Sequence, residues 1–232
     1  MNNNLLQIKI KQRLNKLASL DYDNIECWQI AEAFNKAQIE WVRRQLQGNN
    51  LRKQGDESTI MLIDDLQTLL TEVPMTGTNQ NLHFETTTLP SNYLHFKSLV
   101  IDSRTECCPD AMMSCYLVAV ADVSSLLSDP FRKPSADWGE TFVTMQGNRL
   151  RIYHNDEFQV INPRLTFYRF PTPVSFLNCV NPATGAVTAN VESELKDDIV
   201  EMIIDEAASI LAGDTELFNQ YQRAKTNAQT NN

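Results

Sequence analysis

The 232-residue chain carries a formal net charge of −9 and is 42% apolar, which is enough material for a sizeable core. The acidic balance excludes a nonspecific nucleic-acid binder, which needs a basic surface to displace counterions from phosphates. No apolar run approaches the roughly 20 residues of a membrane-spanning helix, and MNNNLLQIKIKQRLNK lacks the features of a secretory signal, so it reads as mature sequence made in a cytoplasm.

Five cysteines (Cys27, Cys107, Cys108, Cys115 and Cys179) form an odd set without disulfide-scaffold spacing, so the expectation is free thiols in a reducing compartment. Residues 1–55 hold nine Lys/Arg against five Asp/Glu, whereas residues 190–232 hold three against nine. Ends of opposite sign can favour head-to-tail contact between copies, or both can be solvated helix faces.

In chain order, Leu5 to Leu17 reads as a short basic helix with Leu6, Ile10, Leu14 and Leu17 on one side. A longer helix is expected from Asp23, its cap, to Leu46. Trp28, Ala31, Phe34, Ala37 and Trp41 recur at spacings of three and four, Glu26 stands as capping-box partner, and Gly48-Asn49-Asn50 ends it. Asn49 to Ser58 reads as a polar loop. Thr59 to Val73 returns to helical spacing through Met61, Leu62, Leu66, Leu69 and Leu70, and Pro74 stops it.

The chain then changes character. Met75 to Pro90 suits irregular or strand structure, and Tyr93 to Ile101 and Met113 to Ala121 are β-prone runs. Asp122 is placed to cap a short helix through Leu127. From Asp129 to Pro171 a β-meander is expected: the prolines of Asp129-Pro130 and Lys133-Pro134 mark an extended loop, and strands Thr141–Gln146 and Arg149–His154 flank Gly147-Asn148. Asn155-Asp156 and Asn162-Pro163 close the next turns, around Phe158–Ile161 and Leu165–Phe170. Val174 to Val180 is a further candidate strand. A last long helix, starting near Val191, carries Leu195, Ile199, Met202, Ile203, Ala207 and Ile210, with Glu194, Asp197, Asp198, Glu201 and Asp205 on its acidic side. A short helix through Phe218 and Tyr221 and a disordered KTNAQTNN tail follow. The fold class read from this is α+β: an N-terminal helical bundle (1–74), a central antiparallel β-rich region (75–189), and a C-terminal helix and tail (190–232).

Candidate chemistry is sparse. His83, His95, Cys107, Cys108 and Cys115 could be imagined around zinc, but adjacent cysteines on extended chain point apart and no CxxC pair exists. Ser91, Ser98 and Ser114 lack a nucleophile elbow, and His95 and His154 read as half-buried strand histidines satisfied by backbone. None of the seven glycines forms a phosphate-binding loop. Asp64-Asp65, Asp197-Asp198 and Asp205-Glu206 diverge on helices, so they read as solvated faces. No catalytic, cofactor-binding or metal residue is therefore assigned, and the chain is read as a non-enzyme. Lys9, Lys11, Arg13, Lys16, Arg43, Arg44, Arg52 and Lys53 could touch DNA in a channel, pair with acidic residues of a neighbour, or solvate the helices, with protein contact favoured over DNA.

The order of WQIAEAFNKAQIEWVRRQL, LPSNYLHF, LTFYRFP and ELKDDIVEMIIDEAASILAGD resembles the head-to-tail adaptor or neck ring proteins of tailed bacteriophages, most closely those of short-tailed crAss-like phages. The DPFRKPS loop followed by QGNRLRIYH also resembles structural proteins of that group. The resemblance implies a homo-oligomeric, dodecameric ring in the virion neck. It would bind the portal protein and a downstream neck or tail ring protein, extend the DNA channel with passive DNA contact, and need no cofactor and no membrane. Trp28 to Leu46 would support the ring wall, and the loops around Pro130–Pro134 and Asn49–Ser58 would reach neighbours. A decoration or receptor-binding virion component is the nearest alternative; a hydrolase or metalloenzyme is a more distant one.

Overall fold

A computed structural model describes residues 1–15, 25–46, 65–105, 110–182, 184–214 and 225–226. The expectations placed on Leu17, the Asp23 cap, the loop Asn49–Ser58, the stretch 59–64, the Cys107-Cys108 pair and the helix through Phe218 and Tyr221 lie outside those residues. So does the tail, apart from Lys225 and Thr226, which are helical. The chain forms two compact units, one of Met1–Thr68 with Pro171–Asn232 and one of Leu69–Phe170. The class is α+β, with helices toward both termini and an eight-stranded sheet between them in sequence.

The first unit contains α1 (Asn3–Asn15), α2 (Cys27–Leu46) and α4 (Asp197–Asp214). Leu6, Ile10 and Leu14 are buried on α1, and Phe34, Ala37 and Trp41 on α2, as helical periodicity demands; Trp28 and Ala31, expected on the same face, are only half-buried, and Ile30 and Ala33 are enclosed instead. Helix α2 begins at Cys27, and just ahead of it Gln29 accepts a hydrogen bond from the Glu26 backbone N–H at 3.0 Å. Helix α4 buries Ile199, Val200, Ile203, Ile204, Ala207, Ala208, Leu211 and Ala212, a wide stripe that lets it pack on both α1 and α2. It begins at Asp197 rather than near Val191, because Val191 instead bridges to Ser175.

Residues 172–182 and 184–193 form an arm that folds back on itself through the antiparallel bridges Ser175–Val191 and Val180–Val187, held to the helices by polar side chains. Asn35 donates to the Val174 carbonyl at 3.0 Å and accepts from its N–H at 2.7 Å. Gln38 donates to Thr172, and Asn3 donates to the carbonyls of Ser175 and Val191. These side chains satisfy backbone groups that have no ladder, since Ser175 and Val180 make only isolated bridges where a strand over Val174–Val180 was expected. Cys179 on this arm is joined to Cys27 at the start of α2 by a disulfide. That corrects the expectation of free thiols and removes the cysteine argument for a reducing compartment. The two residues are 152 apart in sequence, so no spacing could show that the fold brings them together. Cys115 is free and buried.

The second unit is the sheet, in the order β1-β8-β4-β5-β6-β7-β3-β2. Its strands are β1 (Leu70–Pro74), β2 (Gly77–Asn79), β3 (His83–Thr86), β4 (Tyr93–Arg104), β5 (Ala111–Leu117), β6 (Glu140–Gln146), β7 (Arg149–Tyr153) and β8 (Gln159–Arg169). Where helix was expected through Val73, Gln67–Leu69 is a 3₁₀ turn and Leu70–Pro74 pairs with β8. The turn still buries Leu69, and the tertiary pairing of Thr71 and Val73 overrides a helical spacing of leucines.

The β6–β7 hairpin forms as read, closed by Gly147-Asn148 with Gly147 at φ 60 and Gln146 opposite Arg149. The meander does not continue. After the Asn155-Asp156 turn, β8 pairs with β4 and β1 rather than with β7. Asn162-Pro163 is likewise not a turn but a bulge inside one long strand, since Ile161 and Arg164 face Asp102 and Val100 across a register shift. Val160 and Leu165 are an odd number of residues apart, so only the bulge lets both enter the core with Phe167.

The expectation of an all-antiparallel region fails at one pairing, as β5 and β6 run parallel. A parallel pair cannot be joined by a hairpin and needs a crossover. Residues 118–139 supply it, including the 3₁₀ turn Val120–Asp122 and α3 (Val123–Ser128). Strand β6 is consequently covered on both faces, Val143 in the main core and Phe142 in a smaller cluster with Leu126 and Tyr153.

Candidate interaction surface

The crossover places two large aromatic side chains in solvent. Phe131 is 85% exposed and Trp138 is 75% exposed. Each sits on a tight turn with a local sequence cause. At the first, Asp129 Oδ1 accepts from the Phe131 N–H at 2.9 Å while the Asp129 carbonyl accepts from Arg132 and Lys133, with Pro130 pre-setting the backbone. At the second, the Gly139 N–H returns to the Ala136 carbonyl, and Ser135 bridges Glu140 to begin β6. Between the two turns, α3 and the end of β5 lies a groove of 960 Å³ lined by Tyr116, Leu126, Phe131, Trp138, Glu140 and Glu157, among others. Burial, followed by the Glu140 carboxylate, pushes the Tyr116 phenol above its ordinary range.

The crossover is tied to the turn after β7. Lys133 Nζ donates to Glu157 at 2.6 Å. Asn155 and Asp156 occupy the left-handed region at φ 48 and 61, and the Glu157 N–H closes the turn on the His154 carbonyl at 2.9 Å. The His154 side chain accepts from the Asp156 N–H through Nδ1 at 3.1 Å, leaving the hydrogen of the neutral ring on Nε2. No hydrogen bond of normal length reaches Nε2, although the backbone of Gln80 and His83 lies close enough to favour the charged ring. Burial dominates and holds the His154 pKa below its ordinary value. A second cavity of 760 Å³ separates His154, Asp156 and Glu157 from Ser135–Asp137, Arg104 and Gln159.

The remaining residues weighed for chemistry are dispersed. Cys115 is buried in β5 with its thiol pushed up to about 12 by burial, His83 sits on β3, and His95 faces solvent from β4 instead of being half-buried. Among the described residues no three His, Cys, Asp or Glu side chains gather as a metal site would require. Ser91, Ser98 and Ser114 lie on or beside β4 and β5 without a histidine partner among the described hydrogen bonds.

The charged ends of the chain are brought together in one unit. Lys9 pairs with Glu201, Arg13 with Asp205 at 2.5 Å, Arg44 with Glu206 at 3.1 Å, and the N-terminal amine with Asp197 at 2.6 Å. Asp65 pairs with Lys196. The opposite signs thus meet within one chain, and Asp205 and Glu206 are not the solvated face expected of them. Lys9, Arg13 and Arg44 are likewise engaged by carboxylates of the same chain. Sequence reading had marked the DPFRKPS loop but not Trp138 or Glu157; a tryptophan beside glycine in a turn-rich segment was the available signal.

No protein-family model matches the chain, and no curated protein matches it.

Proposed function

We propose that the protein is a structural virion subunit that works by protein contact, a ring-forming neck adaptor of a tailed phage that joins the portal to the tail and extends the DNA channel. The observation that carries the contact reading is the paired exposure of Phe131 and Trp138 on a crossover whose turns are held by hydrogen bonds. Two such side chains, raised into solvent on ordered backbone, stabilise the isolated unit little and mark a partner-binding face. The resemblance in layout to neck ring proteins supplies the particular role. Because the basic and acidic helices neutralise each other internally, assembly in this reading depends on the apolar crossover and not on oppositely charged ends.

The test is native mass measurement and electron microscopy of the purified chain, alone and mixed with the portal protein of the same phage. Closed rings in either sample are the expected result. A strict monomer in both, with no portal complex, overturns the reading.

A further inference from the structure

Resting on the reading of the crossover as a contact face, we propose that His154 is a pH latch: protonation of its Nδ1 unlocks the 154–157 turn and loosens the Phe131–Trp138 contact face that this turn tethers. The links are continuous and short. His154 Nδ1 accepts the Asp156 N–H at 3.1 Å, the turn positions Glu157, and Glu157 holds Lys133 at 2.6 Å beside Phe131. A proton on Nδ1 turns this acceptor into a donor facing a backbone donor, so the bond is lost and either the ring or the turn must move. The ring is only 4% exposed and packs edge-on to Phe158 at 6.1 Å. The turn is the freer partner, because Asp156 and Glu157 face solvent whereas the ring is enclosed.

The charged and titratable groups around His154 set the direction of the response. Asp156 and Glu157 lie on the turn itself, His83 on β3, Asp137 and Lys133 on the crossover, and Arg104, paired with Asp110, at the end of β4. A new imidazolium attracts the Asp156 carboxylate and competes with Lys133 for that of Glu157. Burial sets the transition on the acid side of an ordinary histidine.

Hydrogen exchange of the full-length protein at about pH 7.5 and about pH 5.5, corrected for intrinsic rates and referenced to β4 and β8 amides, tests the latch. Protection of residues 130–138 and 155–157 is expected to fall several-fold at the lower pH in the wild type while the β4 and β8 amides stay protected. His154→Asn, which keeps an acceptor oxygen but cannot take the proton, is expected to abolish that response, and His83→Gln to preserve it. An equal pH response in wild type and His154→Asn overturns the proposal. If His154→Asn does not fold, the wild type decides alone: crossover protection must titrate with the midpoint of the His154 ring followed by NMR, and a different midpoint overturns it. Ring assembly is scored separately, so failure to form rings rejects the neck-adaptor reading without altering the exchange result.

Discussion

Arg44 meets Glu206 with both arms of its guanidinium, Nη1 donating to Oε2 at 3.2 Å and Nη2 to Oε1 at 3.1 Å. With Lys9 and Arg13 on α1 paired to Glu201 and Asp205, this bond makes α4 the acidic seam between two basic helices. The forked geometry holds two partly buried charges, so removing one strands the other. Arg44→Ala is expected to cost about 1–3 kcal/mol, and Glu206→Gln in that background little more. A urea-unfolding double-mutant cycle checks the coupling; additive losses would show the pair to be idle.

The Cys27–Cys179 disulfide ties the folded-back arm to the start of α2. Cys27→Ser with Cys179→Ser is expected to lower stability by about 2–5 kcal/mol, since the link restrains the unfolded chain over a long loop. Loosening should concentrate in residues 172–193, where Asn3, Asn35 and Gln38 become the remaining tethers. Thermal unfolding with and without reductant is the measurement, and an unchanged midpoint in the double variant would refute it.

Gly77 begins β2 opposite Thr86, and a Cβ there would lie 2.2 Å from the Glu85 carbonyl oxygen and 2.7 Å from the Phe84 ring. Backbone cannot yield as a flexible side chain does, so Gly77→Ala must push β2 off β3. A loss of about 2 kcal/mol or more is expected, with exchange protection falling first in β2 and β3. Wild-type stability in this variant would contradict the packing described.

Phe131→Ala with Trp138→Ala removes exposed surface only and is expected to change stability by no more than about 0.5 kcal/mol. Association with copies or with the portal should weaken by about tenfold or more, as for central aromatic anchors. Native mass measurement across a dilution series distinguishes the outcomes. Undiminished assembly would place the contact elsewhere.

His83 and His154 both have pKa values lowered chiefly by burial, with Arg151 adding to the effect at His83. A folded pKa below the unfolded one means the unfolded chain binds protons first as pH falls. The stability these rings contribute is therefore complete above about pH 6.5 and is lost as pH drops through their folded values. Denaturant midpoints from about pH 8 to about pH 5 should fall accordingly, and less steeply in the paired variant His83→Gln with His154→Asn.

What the amino-acid sequence determined by itself was local. The buried faces of α1, α2 and α4 follow from 3.6-residue spacing, and the β6–β7 hairpin follows from Gly147-Asn148, because neighbouring residues alone set those patterns. The solvent-exposed aromatic loop was legible in part, through Asp129-Pro130 and Lys133-Pro134. Tertiary structure alone decided that Leu70–Pro74 is strand, that β8 crosses to β4 and β1, and that β5 and β6 run parallel. It also decided that Cys27 finds Cys179 and that the basic and acidic ends neutralise each other. Each of these pairs residues far apart in sequence, where the energy comes from a partner strand, thiol or carboxylate that no local window contains.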